Sequence, residues 1–368
     1  MRRLSWQVAL SRSGPRWGLG LVIALFMASA ALLHWPLVGR LDDTLQDQLI
    51  AAFAPGTAHP GQQDAAGGHT VFVDIDDVSL SAVGQWPWPR YHIASLIQRI
   101  AADGPAAIAL DIVFPEADRV SLATLRATFQ HDFGLALNFS GIPTGLDDND
   151  AYLAHSIRST QAIGARYFYF DHRNTAPIGP TTAAAVPAGA DDDSASPLLQ
   201  LRDPAGLLKD VDTAQGALDS VASIAGHTRR TGFLNSRADA DGVLRRLPLL
   251  IRHQGELQPS LGLAAAMQAL HATRGEVLAS RDGPSLRLSR QDTTGRNNSS
   301  STADTVTSAL VPDIPLDTAA RTPLRWLGGA SVYARVPALA LLNHAVEPGR
   351  FAGKVVFIGA SASGLHDH

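Results

Sequence analysis

Two short apolar runs on either side of one amphipathic segment constrain the fold more than any other feature of this sequence. The first run is Thr70–Ile75 (TVFVDI) and the second is Ala106–Phe114 (AAIALDIVF). Between them, Tyr91–Ala102 has apolar residues at helical spacing and ends at the helix-stop sequence DGP. Nearly continuous apolar runs are typical of strands that are buried on both faces of a parallel sheet. We therefore predict two neighbouring parallel strands joined by a right-handed helical crossover.

The rest of the chain continues the alternation of strands and helices. The pattern predicts a helix over DDNDAYLAHSIRSTQ, a strand over Ala162–Phe170, and a last strand over Lys354–Ser361. Strand and turn signals from Gly232 onward lead into a helix at Ser260–His271, and VYARVPALALLNHA is a further helix candidate. Biased composition marks surface insertions at about 171–200 and 291–307. The predicted fold class is α/β, a mostly parallel sheet flanked by helices.

The charge balance and the absence of cysteine exclude several functions. The formal net charge is only −4, which gives no electrostatic basis for binding nucleic acid or anionic lipid. The chain contains no cysteine, so disulfides, thiolate metal sites and cysteine nucleophiles are excluded. We expect no cofactor.

The N-terminal part predicts a membrane anchor. The run 17–39 has no formal charge and as a helix would be about 35 Å long, enough to cross a bilayer. It is preceded by Arg2, Arg3, Arg12 and Arg16. By the positive-inside rule, 1–16 stays cytoplasmic and 40–368 is exported to the periplasmic or extracellular side of the inner (cell) membrane. A signal peptide cleaved after Ala28-Ser29-Ala30 is the alternative, and residues 40–54 have the spacing of a further helix.

Acidic residues and a stiff aromatic segment follow the two apolar runs. The carboxyl ends of parallel strands open onto one crevice, where α/β sheets tend to bind ligands. The segment WPWPR is stiff because each proline restricts itself and the residue before it. Arg90 is a candidate counter-ion for Asp76 or Asp111. The crevice residues that we predict are Asp74, Asp76, Trp86, Trp88, Arg90, Asp111 and Glu116.

This crevice has two interpretations. It is either a recognition pocket with acidic groups, an arginine and indole walls, or a structural lid in which the indoles cover the end of the sheet. In the second case the pairing of arginine with aspartate ties a loop to a strand.

The same residues carry a family resemblance. VDIDDVSLSAVGQWPWPR followed by IALDIVFPEAD resembles the extracytoplasmic sensory domain of the second CHASE type (cyclase- and histidine-kinase-associated sensory extracellular domain). GFLNSRADADGVLRRLPLLIRHQGELQPSLGLAAA and GKVVFIGASASGLHD are similar to later parts of that family. The resemblance covers roughly 40–367, with the two insertions less typical.

This resemblance implies a dimeric receptor. It implies an N-terminal anchor, an exported α/β sensor for a small-molecule or physical signal, further membrane helices and a cytoplasmic output domain. That output is commonly an adenylate or other nucleotide cyclase, a diguanylate cyclase or a protein kinase. The sequence stops at His368, where the returning membrane helices would begin, so we expect this chain to lack the catalytic output.

Other motifs suggest chemistry less strongly. Gly359–Gly364 (GASASG) is close to a nucleophile elbow around Ser361, but a loop that packs closely explains it as well. Asp239–Gly242 (DADG) invites a calcium interpretation, whereas a hairpin turn needs only its Asp-Gly. The terminal HDH has metal-ligand residue types. The acidic crevice residues leave one enzyme alternative open, an exported metal-dependent hydrolase.

Overall fold

A computed structural model describes most of the chain from residue 68 to residue 362. The described residues are 29, 68–143, 145–170, 200–239, 241–281, 283–290, 310–324 and 333–362. Apart from Ser29, all lie in one compact unit formed by 60–324 and 329–368. The predicted anchor, the helix at 40–54 and the insertions lie outside these ranges, except for Ser29 and Gln200. Within the described ranges, no helix is both long and apolar enough to span a bilayer.

Short strands and helices alternate along the described chain. The strands are β1 (Thr70–Ile75), β2 (Ala107–Leu110), β3 (Gly164–Tyr169), β4 (Gln200–Arg202), β5 (Thr213–Ala214), β6 (Gly216–Leu218), β7 (Thr231–Phe233), β8 (Arg246–Pro248), β9 (Leu250–His253), β10 (Glu256–Pro259), β11 (Arg274–Ser280), β12 (Gly283–Ser289), β13 (Ile314–Pro315), β14 (Arg321–Pro323), β15 (Ala334–Pro337) and β16 (Val355–Ala360). The helices are α1 (Asp77–Val83), α2 (Arg90–Ala102), α3 (Leu122–Phe133), α4 (Asn149–Thr160), α5 (Ala222–Ala225), α6 (Leu261–Ala269) and α7 (Ala338–Leu342).

A four-stranded parallel sheet forms the centre of the fold, in the order β15-β1-β16-β2. β1 and β2 are parallel, but β16 lies between them, so the prediction that they are direct neighbours is wrong. β16 pairs with β1 along its whole length and with β2 along most of its length. Its apolar sequence, like those of β1 and β2, suits a strand that is buried on both faces.

The two faces of this sheet are covered by different helices. On one face, Val71, Val73 and Ile75 are fully buried in the main core cluster together with the apolar side of α2. On the other face, Ala107 and Ala109 pack with α6. The alternation of side chains along each strand separates these two cores. The prediction of helices on a parallel sheet is confirmed.

A second sheet, in the order β13-β12-β11-β4, is built mainly on the antiparallel pair β11–β12. Its side chains form a separate core cluster that includes Val277, Leu286, Leu288 and Met267 of α6. The description "mostly parallel" therefore applies to the central sheet and does not extend to the whole domain.

The candidate helix at VYARVPALALLNHA is half wrong. Residues 334–337 form strand β15, and the helix begins only at Ala338. Proline disfavours helical geometry in the residue before it, and Val336 is β-branched, so the part before Pro337 is extended. The predicted strand at Ala106–Phe114 also ends early, at Leu110. The predicted helix at Tyr91–Ala102 is confirmed. It spans Arg90–Ala102, and Asp103 and Gly104 follow it, as the DGP signal indicates.

Substitution of Gly232 tests the packing of β7 against the start of α6. A Cβ atom at this position would lie 2.6 Å from the backbone nitrogen of Leu261, and no rotamer can relieve a clash with backbone. We expect Gly232→Ala to lower the free energy of unfolding by about 3 kcal/mol, measured by urea denaturation.

Gly262→Ala is the matched control. Gly262 lies in α6 with open space around its Cβ position, so alanine there should be neutral or stabilising by up to about 1 kcal/mol. Equal effects of the two substitutions would contradict the described contact.

Candidate functional site

The Trp-Pro segment connects α1 to α2 and is anchored in the core. Asp76 caps α1, since its Oδ1 accepts a hydrogen bond from the backbone N–H of Ser79 at 2.8 Å. The indole of Trp88 is buried in the main core, and its Nε1–H donates to the carbonyl oxygen of Gly84 at 2.9 Å. Trp86 is half-buried, with its ring centroid 6.1 Å from that of Trp88. Trp88 thus has a packing role, and only Trp86 is accessible to a ligand.

Arg90 is the first residue of α2 and is 5% exposed. Its Nε lies 3.3 Å from Oδ1 of Asp150, an ion pair without the alignment of a hydrogen bond. Its Nη2 donates to the backbone oxygen of Glu116 at 2.8 Å, and its Nη1 lies 3.5 Å from that of Trp88. The guanidinium also lies 4.6 Å from the ring centroid of Phe114. Asp150 is therefore its counter-ion, and the prediction of Asp76 or Asp111 is wrong.

Asp118 completes this buried cluster. Its Oδ2 accepts from the backbone N–H of Arg90 at 2.8 Å and from the side-chain amide of Asn149 at 3.0 Å. Its own backbone N–H donates to Oδ2 of Asp150 at 2.9 Å. The cluster of Arg90, Asp118, Asn149 and Asp150, which we call the Arg90 cluster, joins the start of α2, the start of α4 and the loop after β2.

The Arg90 cluster holds one positive and two negative formal charges in a buried space. Burial lowers the pKa of Arg90, an effect that its neighbours Asp150 and Asp118 oppose. Burial raises the pKa of Asp150, and here too it outweighs the attraction of Arg90. Each charged form is thus less favourable than in water, which is the usual balance for buried ion pairs.

A row of three residues crosses one face of the central sheet at its carboxyl end. In the strand register, Asp74 of β1 lies opposite Gly359 of β16. The backbone N–H of Asp111 donates to the backbone oxygen of Ile358. Asp111 therefore lies on the other side of Gly359. A Cβ atom on Gly359 would lie 3.2 Å from the Cβ of Asp111. All three residues therefore share the face that also carries Phe72. Asp74 and Asp111 flank a position that has no side chain.

The two carboxylates of this row differ in their surroundings. Oδ2 of Asp74 accepts from Nη1 of Arg335 at 3.1 Å. The side chain of Asp111 reaches solvent and has no hydrogen-bond or ion-pair partner among the described residues. Nearby protein atoms nevertheless exclude enough water to raise the pKa of its carboxyl group. A free carboxylate in a partly desolvated position can accept hydrogen bonds from a ligand.

The structure thus separates the predicted crevice residues. Asp74 and Asp111 share the sheet-end row, Asp76 is a helix cap, and Trp88 and Arg90 are buried beneath the loop. The side chain of Glu116 forms an exposed ion pair with Arg119. In the part of the chain that the structure describes, no three His, Cys, Asp or Glu side chains converge on a metal-sized space.

The other motifs have structural explanations where they are described. Asp239 and Asp241 both pair with the buried Arg245, so their carboxylates are not available to calcium. The N–H of Gly242 donates to the oxygen of Asp239, as in a turn. The terminal HDH lies outside the described residues.

Sequence reasoning missed the partners of Arg90, although a signal was present. Asp150 occupies the same helical face as Leu153, Ala154 and Ile157, all of which are buried. A charged residue on an apolar helical stripe must find a buried partner. Arg90 likewise lies on the helical face of α2 that carries its buried apolar residues. The sequence pattern could therefore have paired Arg90 with Asp150.

Comparison with known families gives one match. The family model described as the CHASE2 domain matches residues 20–368. This confirms the resemblance carried by the motifs around the Trp-Pro segment. Searches of curated proteins and of solved structures found no match.

Removal of the Arg90 side chain tests the buried cluster. We expect Arg90→Ala to lower the free energy of unfolding by about 3–5 kcal/mol, because it leaves the two buried carboxylates without their cation. Arg119→Ala is the control: its ion pair is exposed, with 81% of the Arg119 side chain accessible, and should contribute less than about 1 kcal/mol. Urea denaturation measures both, and similar losses would argue against the cluster.

The contribution of Asp150 to the free energy of unfolding should depend on pH, and the direction of its pKa shift fixes the sign of that dependence. Its pKa is raised in the folded state, so the stability that it contributes is present below the ordinary aspartate pKa and is lost as pH rises through the folded value. The unfolding free energy of the wild type minus that of Asp150→Asn should therefore fall as pH rises from the aspartate range towards neutrality.

Asp241→Asn provides a control of opposite sign. A hydrogen bond from Arg245 lowers the pKa of Asp241 to about 2, so the corresponding difference should rise with pH over the acidic range. Urea denaturation series at several pH values measure both slopes. Parallel slopes for the two variants would contradict the environment described for Asp150.

Proposed function

The chain belongs to the CHASE2 domain family of sensory domains, and from this membership we propose that it is the exported input domain of a membrane-bound signalling receptor. In this proposal a small-molecule or physical signal acts on the folded domain. The cyclase, diguanylate cyclase or protein kinase activity belongs to an output domain outside this sequence.

The N-terminal sequence supports the membrane location. The uncharged run 17–39 follows a segment whose only formal side-chain charges are arginines, the arrangement that keeps a short N-terminus cytoplasmic. The domain at 40–368 then lies on the periplasmic or extracellular side, with the run 17–39 as its N-terminal anchor. The absence of cysteine is compatible with that oxidising environment.

The observation that carries the proposal is the connection between the sheet-end row and the Arg90 cluster. Asp111, whose carboxylate has no partner among the described residues, begins the loop that runs through Glu116 to Asp118. That loop is held at its far end by Arg90 and Asp150. A ligand that pulls on Asp111 would therefore strain contacts at the N-terminal ends of two helices, α2 and α4.

The chemistry of the row indicates what would bind. Two carboxylates flank Gly359, one of them already paired with Arg335. A ligand with a positive charge or several N–H donors would match this surface. The change that it causes would pass through the packed helices as a shift between two arrangements of the domain.

Reporter fusions test the proposed location. Alkaline phosphatase fused after residue 368 should be active, and green fluorescent protein fused there should be dark, because the domain is exported. Replacing Arg2, Arg3, Arg12 and Arg16 with glutamate should weaken the phosphatase signal. A bright fluorescent fusion would contradict the exported sensor.

An activity assay on the same protein distinguishes a sensor from an enzyme. The proposal predicts no phosphoesterase turnover with magnesium, calcium or manganese. Metal-dependent turnover that is lost in Asp111→Ala would replace the sensor with an exported hydrolase.

A further inference from the structure

Helix α3 has no buried residue over its whole length, Leu122–Phe133. Its apolar residues nevertheless follow a helical stripe, with Leu125, Phe129 and Phe133 at four-residue spacing and Leu122 on the same side. The rings of Phe129 and Phe133 lie 5.5 Å apart. Amphipathic helices of this length depend on tertiary packing for most of their stability. Within the described part of the chain, Leu122, Leu125 and Phe129 of this stripe are partly buried, whereas Phe133 is 65% exposed.

The chain after α3 folds back along it and extends the apolar surface. The guanidinium of Arg126 lies 5.5 Å from the ring centroid of Phe139, and its Nε donates to the oxygen of Leu137 at 3.3 Å. The backbone N–H of Ala123 donates to the oxygen of Asp147. These contacts join residues 120–147 into one projection, which we call the α3 lobe.

The exposed apolar surface of the α3 lobe is large. Its most exposed large apolar side chains, with their exposed fractions, are Val120 50%, Phe133 65%, Leu135 54%, Phe139 38% and Leu146 37%. At about 200 Å² for a fully exposed side chain of this size, they present about 500 Å². The largest apolar patch of a monomeric protein is about 300–600 Å² and is often functional. Leu125 and Phe129 are partly buried and add less area to it.

We propose that the α3 lobe is the surface through which two copies of this chain associate. Two such patches would bury about 1,000 Å² from these side chains alone, which reaches the lower limit for a specific interface. An apolar helical stripe is complementary to itself, so it can form the isologous contact of a two-fold dimer without a second kind of surface.

The charges around the lobe favour a second copy over a membrane surface. Arg126 pairs with Asp147 at 3.2 Å and His131 contacts Asp132 at 2.7 Å, so the formal charges of the lobe, one arginine and two aspartates, all have contacts within the protomer. So few charges cause little repulsion between two copies. Helices that lie on anionic membranes carry an excess of basic residues on their polar face, and α3 does not.

Cysteine cross-linking tests this surface without background, because the chain has no cysteine of its own. The full-length protein would carry Phe129→Cys or Phe133→Cys and be oxidised in native membranes and in detergent. The control is Ala127→Cys, an exposed position on the opposite side of the same helix. We expect a disulfide-linked dimer several-fold more abundant at the two stripe positions than at Ala127.

A second change checks that the exposed apolar surface of the lobe causes the association. Leu135→Glu in the Phe133→Cys background should reduce the cross-linked dimer several-fold, while the urea midpoint stays close to that of the parent, because Leu135 is 54% exposed. Equal cross-linking at Ala127, or no dimer in either membranes or detergent, would overturn the proposal. So would a change in the fluorescence of a dye attached at Phe133→Cys when phosphatidylglycerol vesicles are added, if the protein stays monomeric. The test is independent of the ligand and of the output domain.

Discussion

The ion pair between Arg90 and Asp150 is the interaction on which the arrangement around the sheet end depends. Both residues begin helices, so their pairing sets where α2 and α4 start relative to each other. Asp118 then ties the loop after β2 to the same point. One cation is shared by two carboxylates in a buried space, and desolvation opposes the attraction between the charges.

The central sheet places a reachable group beside this buried cluster. Asp111 follows β2 at the level of Gly359, where the missing side chain lets the Asp111 side chain approach the backbone of β16 closely. The face that it shares with Asp74 opens at the carboxyl end of the strands, where open α/β sheets tend to hold their ligands. The buried cluster and the open row are therefore the two ends of one short loop, one of them fixed by packing and the other accessible to solvent.

Sequence patterns predicted those elements whose signals are local. Thr70–Ile75 and the α2 segment have clear apolar periodicity and clear stop signals, and both were placed correctly. The position of β16 between β1 and β2 was not predictable, since strand order is decided by packing among segments far apart in the chain. The stiffness of the Trp-Pro segment was recognised, but not that Trp88 points into the core. Helix α3 was not predicted, although Leu122, Leu125, Phe129 and Phe133 have helical spacing.

The strand order also has a consequence for how the domain is made. β1 and β2 are synthesised early, yet the strand between them in the sheet is β16. Most of the domain's sequence separates β16 from β2. Contacts so distant in the chain form slowly, because a long loop must close before any of them stabilises the fold. Until β15 and β16 arrive, β1 has neither of its neighbours in the sheet and β2 has one unpaired edge. Such a nascent chain would need protection from aggregation until its last strand has docked.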